Sequence, residues 1–370
     1  MAPIRILVVD DSLVVRKMLS DTLSADAELE VVGTAGDGQI ALAKIQVLKP
    51  DLITLDVEMP VMNGLETLAA LRKLYPKMPV IMFSTVTERG AVATLKALSL
   101  GASDYATKPS NTSSSGMAIE AIRSDLVPKI KVLCGRKAMS ASAPLARPAS
   151  VSPRRRTSYP PVEIVAIGTS TGGPNALTEI LPQIPEGFPV PIVVVQHMPP
   201  IFTRLLAERL CSQSLIAVGE GTDAMLLSPA QAWIAPGNFH MTVARAGLSA
   251  RLQLNQEPTE NSCRPSVDVL FRSLASGFGA RVLAVVMTGM GSDGVAGAHL
   301  IRKAGGEVII QDESSSIIWG MPGLVYAAGQ ADAVYPLEQL AGEITRRVQQ
   351  RRPAASVLSQ IQTTLEPRAK

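Results

Sequence analysis

The sequence predicts an α/β protein with two domains, each built around a parallel β-sheet. Short apolar runs that end in polar residues alternate with longer helical patterns, first up to about Cys134 and again from Val162. This alternation is typical of βαβ units. The chain of 370 residues is longer than one ordinary domain. Aromatic residues make up only 4% of it, which favours layered α/β architecture over an all-β sandwich.

Composition limits the classes of function and the compartment. The net charge of +3 indicates no strongly basic surface, so we expect no nucleic-acid partner. Three scattered cysteines argue against a disulfide framework or a zinc site and favour a reducing compartment. Acidic residues interrupt the N-terminal apolar run, and no run approaches the roughly 18 apolar residues of a membrane span. We therefore expect a cytoplasmic protein without membrane insertion.

Apolar runs of strand length recur in both predicted domains. The runs of the first domain are 4–9, 52–55 and 79–83. The runs of the second domain are 163–167, 191–195, 232–235, 282–287 and 307–310. Parallel sheets bind ligands at the carboxyl ends of their strands, so the polar residues after these runs are the candidate site residues.

The segment between the two patterns is rich in Ser, Ala, Pro and Arg and has no apolar period. Such a composition buries too little surface to offset the entropy of ordering, and it predicts a flexible linker. The predicted organisation is a first domain over 1–125, a linker over 126–161, a second domain over 162–348 and a tail over 349–370.

Polar side chains at three strand ends of the first domain predict a phosphoryl-transfer site. Asp10 and Asp11 end the first strand, Asp56 ends the third, and Lys108 follows a fifth. Crowded carboxylates need a cation, and oxygen ligands suit Mg²⁺. A carboxylate beside that metal can attack a phosphoryl group, while Lys108 and the Ser84 hydroxyl bond or neutralise the transferred oxygens. Each aspartate alone is more simply a cap or turn residue, but the combination favours the site.

The stretches VVDDS, LDVEMPVMNG and GASDYATKP resemble the receiver domain of two-component response regulators over about 1–125. The resemblance implies a flavodoxin-like fold with Asp56 as the phospho-acceptor. It also implies that Asp10, Asp11 and the backbone carbonyl of Glu58 hold Mg²⁺ together with the acceptor. The residues implied to respond to phosphorylation are Ser84, Lys108 and Tyr105.

In the second domain, EIVAIGTSTGGPNAL (163–177) leads from an apolar run into a Gly-rich turn that holds Ser170. GTSTG fits the G-x-S-x-G form of a nucleophile elbow between strand and helix. Gly-rich turns of this kind also bind phosphates, although no Walker lysine follows. On the motif alone, Ser170 could be a nucleophile, a phosphate ligand or a turn residue.

A serine nucleophile needs a base, usually a histidine oriented by a carboxylate. Among the histidines, His197 follows an apolar strand and should share a rim with Ser170. The other two, expected near a turn and on a helix face, are His240 and His299. For the carboxylate, TGMGSDG places Asp293 after another strand, whereas the competing Asp268 is expected at the start of a helix.

Together with IGTSTGG, the stretches QHMPPIFTRLLAERL, APGNFHM, CRPSVDVLF and TGMGSDG resemble the catalytic domain of chemotaxis protein-glutamate methylesterases over roughly 162–345. A receiver domain in front is that family's arrangement. By position, the resemblance implies Ser170 as nucleophile, His197 as general base and acid, and Asp293 as the orienting carboxylate. It also implies an oxyanion donor at the backbone N–H of Met290.

The same resemblance implies hydrolysis of glutamate γ-methyl esters on methyl-accepting chemotaxis receptors, and deamidation of selected receptor glutamines, without a cofactor for the esterase chemistry. It implies a chemosensory histidine kinase as phosphodonor, and the domain order suggests that the unphosphorylated receiver covers the Ser170 rim. The alternatives are hydrolysis of a different ester or amide, an output domain that only binds, and nucleotide binding at 168–173. Cys263 is a rival nucleophile in principle, but its run NSCRPS offers no glycine elbow, so it is expected to be structural or substrate-flanking.

Overall fold

The computed structural model describes residues 2–109, 115–135, 160–247 and 249–350. The strands of the first domain are β1 (Ile4–Val9), β2 (Leu29–Ala35), β3 (Leu52–Asp56), β4 (Val80–Ser84) and β5 (Asp104–Thr107). Its helices are α1 (Leu13–Ser24), α2 (Gly38–Leu48), α3 (Gly64–Leu74), α4 (Glu88–Ser99) and α5 (Ser115–Leu133). The strands form one parallel sheet in the order β2-β1-β3-β4-β5.

The second domain is built around a seven-stranded parallel sheet and a hairpin. Its strands are β6 (Ile164–Thr169), β7 (Ile192–Gln196), β8 (Ala217–Glu220), β9 (Gln231–Ile234), β10 (His240–Ala246), β11 (Ser249–Asn255), β12 (Val282–Val286), β13 (Glu307–Gln311) and β14 (Ala333–Tyr335). Its helices are α6 (Gly173–Ile180), α7 (Pro200–Gln213), α8 (Val267–Phe278), α9 (Val295–Lys303), α10 (Met321–Ala327) and α11 (Leu337–Gln350). The sheet order is β14-β13-β12-β6-β7-β9-β8, and β10 and β11 pair separately as the antiparallel hairpin.

The predicted α/β class with two parallel sheets is confirmed. Each apolar run named above overlaps a strand, because most of these strands are buried on both faces and read as continuous hydrophobic segments. The exception is β9, in which half-buried and buried residues alternate. The hairpin β10–β11 was not predicted. Polar residues interrupt both of its strands, HMTVARA in β10 and SARLQLN in β11, so neither contains a continuous apolar run.

The first domain ends later than the sequence indicated. Helix α5 continues to Leu133, past the predicted boundary at residue 125, because Leu126 and Ile130 pack in the core of this domain. Residues 136–159 of the predicted linker and the tail from 351 onward lie outside the described residues. None of the helices in the described part of the chain is long and apolar enough to cross a membrane.

The two domains touch through the first two residues of β5, Asp104 and Tyr105. The Tyr105 ring stacks on Phe202 of α7, with ring centroids 4.8 Å apart. The Thr171 hydroxyl, in the loop after β6, donates a hydrogen bond of 2.9 Å to the buried Asp104 carboxylate. Helix α4 also packs against α7. The receiver-type sheet therefore contacts the same loop that carries Ser170.

Candidate active site

Ser170 lies in the loop between β6 and α6, at the carboxyl end of the second sheet. Its N–H donates to the carbonyl of Thr288 (3.1 Å), and its carbonyl accepts from the Gln196 amide (2.9 Å). Gly172 has φ +79°, which favours glycine, and a Cβ at Gly173 would lie 1.9 Å from Oε1 of Gln196. The glycines of the motif are therefore required by the sharp turn and by its close approach to β7.

His197 and Asp293 come together on the rim that also holds Ser170. His197 directly follows β7, and Asp293 lies in the loop between β12 and α9. Nε2 of His197 lies 2.8 Å from Oδ2 of Asp293. An ionised carboxylate only accepts hydrogen bonds, so Nε2 carries a proton and the neutral ring has Nδ1 as its acceptor. Within the described residues, no hydrogen bond joins the Ser170 hydroxyl to this ring.

The carboxylate of Asp293 is buried and fully bonded. Its Oδ1 accepts from the Ser266 hydroxyl (2.8 Å) and the Asp268 N–H (2.9 Å), and its Oδ2 accepts from the Val267 N–H (2.6 Å). These donors form the start of α8, where free N–H groups favour negative charge. Burial raises the pKa of Asp293, but the hydrogen bond and charge of His197 and these N–H groups lower it to about 2. The carboxylate is therefore ionised at neutral pH.

The same pairing changes the basicity of the histidine. Burial disfavours the imidazolium of His197, but the hydrogen bond and charge of Asp293 and the contact with Cys263 raise its pKa well above the ordinary value. The neutral ring that can accept a proton therefore becomes more populated as the pH rises.

Cys263 contacts the histidine ring, which the sequence did not predict. Its Sγ lies 3.5 Å from Nδ1 of His197, so the thiol contacts the nitrogen that the carboxylate leaves free. Nothing in NSCRPS indicates this proximity, because the two residues are 66 positions apart and meet only through the tertiary fold.

The competing candidates have other partners. Asp268 lies in the first turn of α8, as predicted, and accepts a hydrogen bond of 2.6 Å from the Gly297 N–H, which joins α8 to α9. His240 is buried at the start of β10, with Nε2 3.0 Å from the carbonyl of Pro258. His299 is exposed on α9, in agreement with the predicted helix face.

The loop that carries Met290 packs directly against the loop that carries Ser170. A Cβ at Gly289 would lie 2.8 Å from the Cβ of Ser170, so only glycine permits this approach. The Gly289 N–H donates to the carbonyl of Ile318 (3.0 Å). The Met290 N–H, by contrast, has no hydrogen-bond acceptor in the described part of the chain, which leaves it available to a negatively charged oxygen.

The first domain forms a separate acidic site at the ends of β1 and β3. Nζ of Lys108 lies 2.7 Å from Oδ2 of Asp10 and 2.8 Å from Oδ2 of Asp56. One carboxylate oxygen from each of Asp10, Asp11 and Asp56 lies within 4.8 Å of the others, and an oxygen-only set with one exposed member suits Mg²⁺. Glu58 lies two residues further along the same loop. Burial raises the pKa of Asp56 to about 6, against the opposing hydrogen bond from Lys108.

Ser84 and Tyr105 are the other two residues that the resemblance implies to respond to phosphorylation. The sheet register pairs Asp56 with Phe83, so Ser84 comes next at the end of β4. The buried Ser84 hydroxyl donates to the carbonyl of Gly90 (3.2 Å) rather than to a carboxylate. Tyr105 is buried and its ring stacks on Phe202 of α7, so a movement of this ring would change a contact between the two domains.

Fold and site together define a response regulator whose output domain is an α/β enzyme. Residues 6–119 match the response regulator receiver domain family, and residues 165–344 match the CheB methylesterase family. A protein-glutamate methylesterase/protein-glutamine glutaminase from Trichodesmium erythraeum (strain IMS101) is 55% identical over 94% of this chain and 100% of its own length. One from Nocardioides sp. (strain ATCC BAA-499 / JS614) is 49% identical over 96% of this chain and 98% of its own length. The chain belongs to the protein-glutamate methylesterase/protein-glutamine glutaminase family.

A solved structure is also similar to part of this chain. The crystal structure of the Thermotoga maritima CheB methylesterase catalytic domain is 40% identical to this chain. It covers 50% of this chain and 98% of its own, with a TM-score of 0.49.

Proposed function

We propose that this chain hydrolyses glutamate γ-methyl esters on methyl-accepting chemoreceptors, deamidates selected receptor glutamines, and is activated by phosphorylation of its receiver domain. The contact of 2.8 Å between His197 and Asp293, on the rim that holds Ser170, supports the hydrolytic chemistry most strongly. A serine nucleophile needs this pair of partners. The two activities are those in the names of the relatives described above.

The reaction uses the three rim residues in turn. His197 Nδ1 accepts the hydroxyl proton as Oγ of Ser170 attacks the ester carbonyl, and Asp293 stabilises the imidazolium that forms. The imidazolium then gives its proton to the departing methoxide, which leaves as methanol. Water next attacks the acyl-enzyme while His197 takes its proton, and the glutamate carboxylate and the free serine are released.

The tetrahedral intermediate carries a negatively charged oxygen. The free N–H of Met290, on the loop packed against Ser170, is the donor proposed for this oxygen. The N–H groups at the start of α6 add positive potential on the same side of the serine. Fixed donors of this kind act where charge develops in the transition state.

The substrate class is tested by methanol release from different methyl esters. Membranes that carry methylated chemoreceptors and an unrelated peptide with a glutamate γ-methyl ester should be compared at equal ester concentration. The proposal expects methanol from the receptors and little from the unrelated peptide. Equal release from both would instead favour a hydrolase of broader ester specificity.

The receiver site is proposed to accept a phosphoryl group on Asp56 from a chemosensory histidine kinase. Asp10, Asp11, Asp56 and the carbonyl of Glu58 would hold Mg²⁺, which when bound supplies positive charge against the phosphoryl oxygens. Asp56 supplies the attacking carboxylate oxygen. Nζ of Lys108 lies 2.8 Å from Oδ2 of Asp56. It would bond a phosphoryl oxygen in place of its present contacts with the two carboxylates.

Asp56→Asn should remove activation while basal activity remains. Asparagine matches the carboxylate in shape but cannot form the acyl phosphate. We expect acetyl phosphate with Mg²⁺ to raise methanol release by wild type on the order of 5-fold or more, the lower end of typical coupling between sites, and to leave Asp56→Asn unchanged. Equal stimulation of both proteins would contradict Asp56 as the acceptor. Asp51→Asn, in the exposed segment before β3, is the matched control.

The proposed control is steric, with the unphosphorylated receiver covering the Ser170 rim. The hydrogen bond from Thr171 to Asp104 and the stacking of Tyr105 on Phe202 support this, because they join β5 to the rim. Removing residues 1–160 should therefore raise basal methanol release on the order of 5-fold or more. The truncated Ser170→Ala protein provides the background rate. Equal activity of the full-length and truncated enzymes would contradict the steric model.

A further inference from the structure

Cys263 competes for the ring nitrogen that the proposed esterase reaction needs. Its Sγ lies 3.5 Å from Nδ1 of His197, while Nε2 of the same ring lies 2.8 Å from Asp293. When the ring is neutral, Nδ1 is its acceptor and the thiol is the donor in this contact; when the ring is protonated, the Nδ1–H group faces the sulfur instead. Cys263, His197 and Asp293 therefore form a nucleophile, a base and an orienting carboxylate, the arrangement that activates thiols in enzymes.

The loop that carries Cys263 is fixed to the same carboxylate. Asn261 and Ser262 have φ angles of +53° and +61°, and the backbones of Glu260 and Cys263 exchange two hydrogen bonds of 2.9 and 3.1 Å across this turn. The Asn261 side chain donates to Oδ1 of Asp293 at 2.9 Å. Two successive non-glycine residues in the left-handed region persist only where surrounding contacts hold them. These contacts hold the thiol against the imidazole.

The thiol is also accessible. Cys263 and His197 are both partly exposed, so a small reagent can approach from solvent. Cys211, on α7, is exposed as well, but no side chain among the described residues hydrogen-bonds to its sulfur. The chain therefore contains a matched pair of thiols, and only one of them has a base beside it.

We propose that Cys263 is a modification site for peroxides and alkylating electrophiles, activated by His197 and Asp293. The thiol gives its proton to Nδ1, and the thiolate attacks one oxygen of hydrogen peroxide. An S–O bond forms as the O–O bond breaks; the attacked oxygen keeps its hydrogen, and the departing hydroxide takes the proton from the imidazolium to become water. The sulfur is oxidised to a sulfenic acid. One small thiol then forms a mixed disulfide with loss of water, and a second releases Cys263 by exchange.

Modification should also block the esterase. An oxygen or alkyl group on Sγ would occupy the space beside Nδ1, the atom that must take the proton of Ser170. This consequence rests on the proposed function, whereas the modification itself does not. The two are therefore tested by separate readouts.

The first experiment measures the alkylation rate of each cysteine in the full-length protein. A low concentration of iodoacetamide is used near neutral pH, and peptide mass spectrometry follows each thiol. A free thiol is only a few per cent thiolate near pH 7, and His197 beside Cys263 can take its proton. We therefore expect Cys263 to react on the order of 10-fold faster than Cys211. His197→Gln should remove this difference, and Ser170→Ala should preserve it. Equal rates in wild type, or fast labelling in folded His197→Gln, would overturn the proposal.

The second experiment uses hydrogen peroxide with dimedone, which traps sulfenic acids. The expected result is a dimedone adduct on Cys263, with loss of methanol release in proportion to oxidation and recovery by dithiothreitol when dimedone is left out. Cys263→Ala, compared with its own untreated activity, should be insensitive to peroxide. Absence of the adduct would contradict Cys263 as a modification site. An adduct without loss of methanol release would contradict the proposal that modification blocks the esterase. If untreated protein releases no methanol, the proposed function fails and the adduct still decides the modification site.

Discussion

Ser170→Ala should reduce methanol release from methylated chemoreceptors to the background rate. The alanine keeps the small volume of the side chain but removes the oxygen that is proposed to attack the ester. Loss of the nucleophile in an unrelated serine hydrolase lowers kcat on the order of 10⁶-fold, and we expect a similarly large effect here. The measurement is single-turnover methanol release at saturating enzyme, which separates chemistry from receptor binding.

A matched control separates this loss from a folding defect. Ser276, exposed on α8, should tolerate the change to alanine with full activity. Both variants should show the same thermal midpoint as wild type. Activity of Ser170→Ala within a few fold of wild type would contradict the serine mechanism and would direct attention to the thiol of Cys263.

Asp293→Asn should lower kcat on the order of 10⁴-fold, the loss seen when the orienting carboxylate of a serine triad is replaced by its amide. Asparagine cannot stabilise the imidazolium, and it can favour the wrong tautomer of His197. The negative charge of Asp293 raises the pKa of His197, so its removal should lower that pKa. The base is active when neutral, and the rising limb of kcat/KM against pH should therefore move to lower pH in the variant.

Asp268→Asn distinguishes an orienting role from a structural one. Asp268 bonds the Gly297 N–H and lies at the start of α8, but it does not contact the histidine ring. We expect this variant to lose some stability and to keep the pH profile of wild type. The assignment of Asp293 as the orienting carboxylate would be wrong if Asp293→Asn left the rising limb of kcat/KM against pH in place, or if Asp268→Asn moved that limb equally.

The fold could be predicted from the sequence because its strands are buried on both faces. Runs such as IVVVQ before His197 read as continuous apolar segments, and each ends where the chain leaves the sheet. The topology then requires that the residues at these ends meet on one edge, which is why Ser170, His197 and Asp293 could be chosen together. The hairpin β10–β11 was not predicted, because polar residues interrupt the apolar pattern of both its strands.

Contacts between distant loops could not be predicted. The turn at 260–263 carries no motif, and its position beside His197 depends on bonds from Asn261 to Asp293 and Asp268. The hydrogen bond from Thr171 to Asp104 depends on how the two domains pack, which local sequence does not encode. The extent of α5 was also missed, because the domain boundary was predicted at residue 125 although the helical pattern continues to about Cys134 and packs on the first core.

We propose that one chain combines a phosphorylation switch at Asp56 with a serine esterase at Ser170. Methanol release from membranes that carry methylated chemoreceptors, measured with and without acetyl phosphate and Mg²⁺, tests this combination. We expect release by wild type that rises with the phosphodonor, release by Asp56→Asn that does not rise, and none above background from Ser170→Ala. Release that is independent of Ser170, or no release from wild type under any condition, would contradict it.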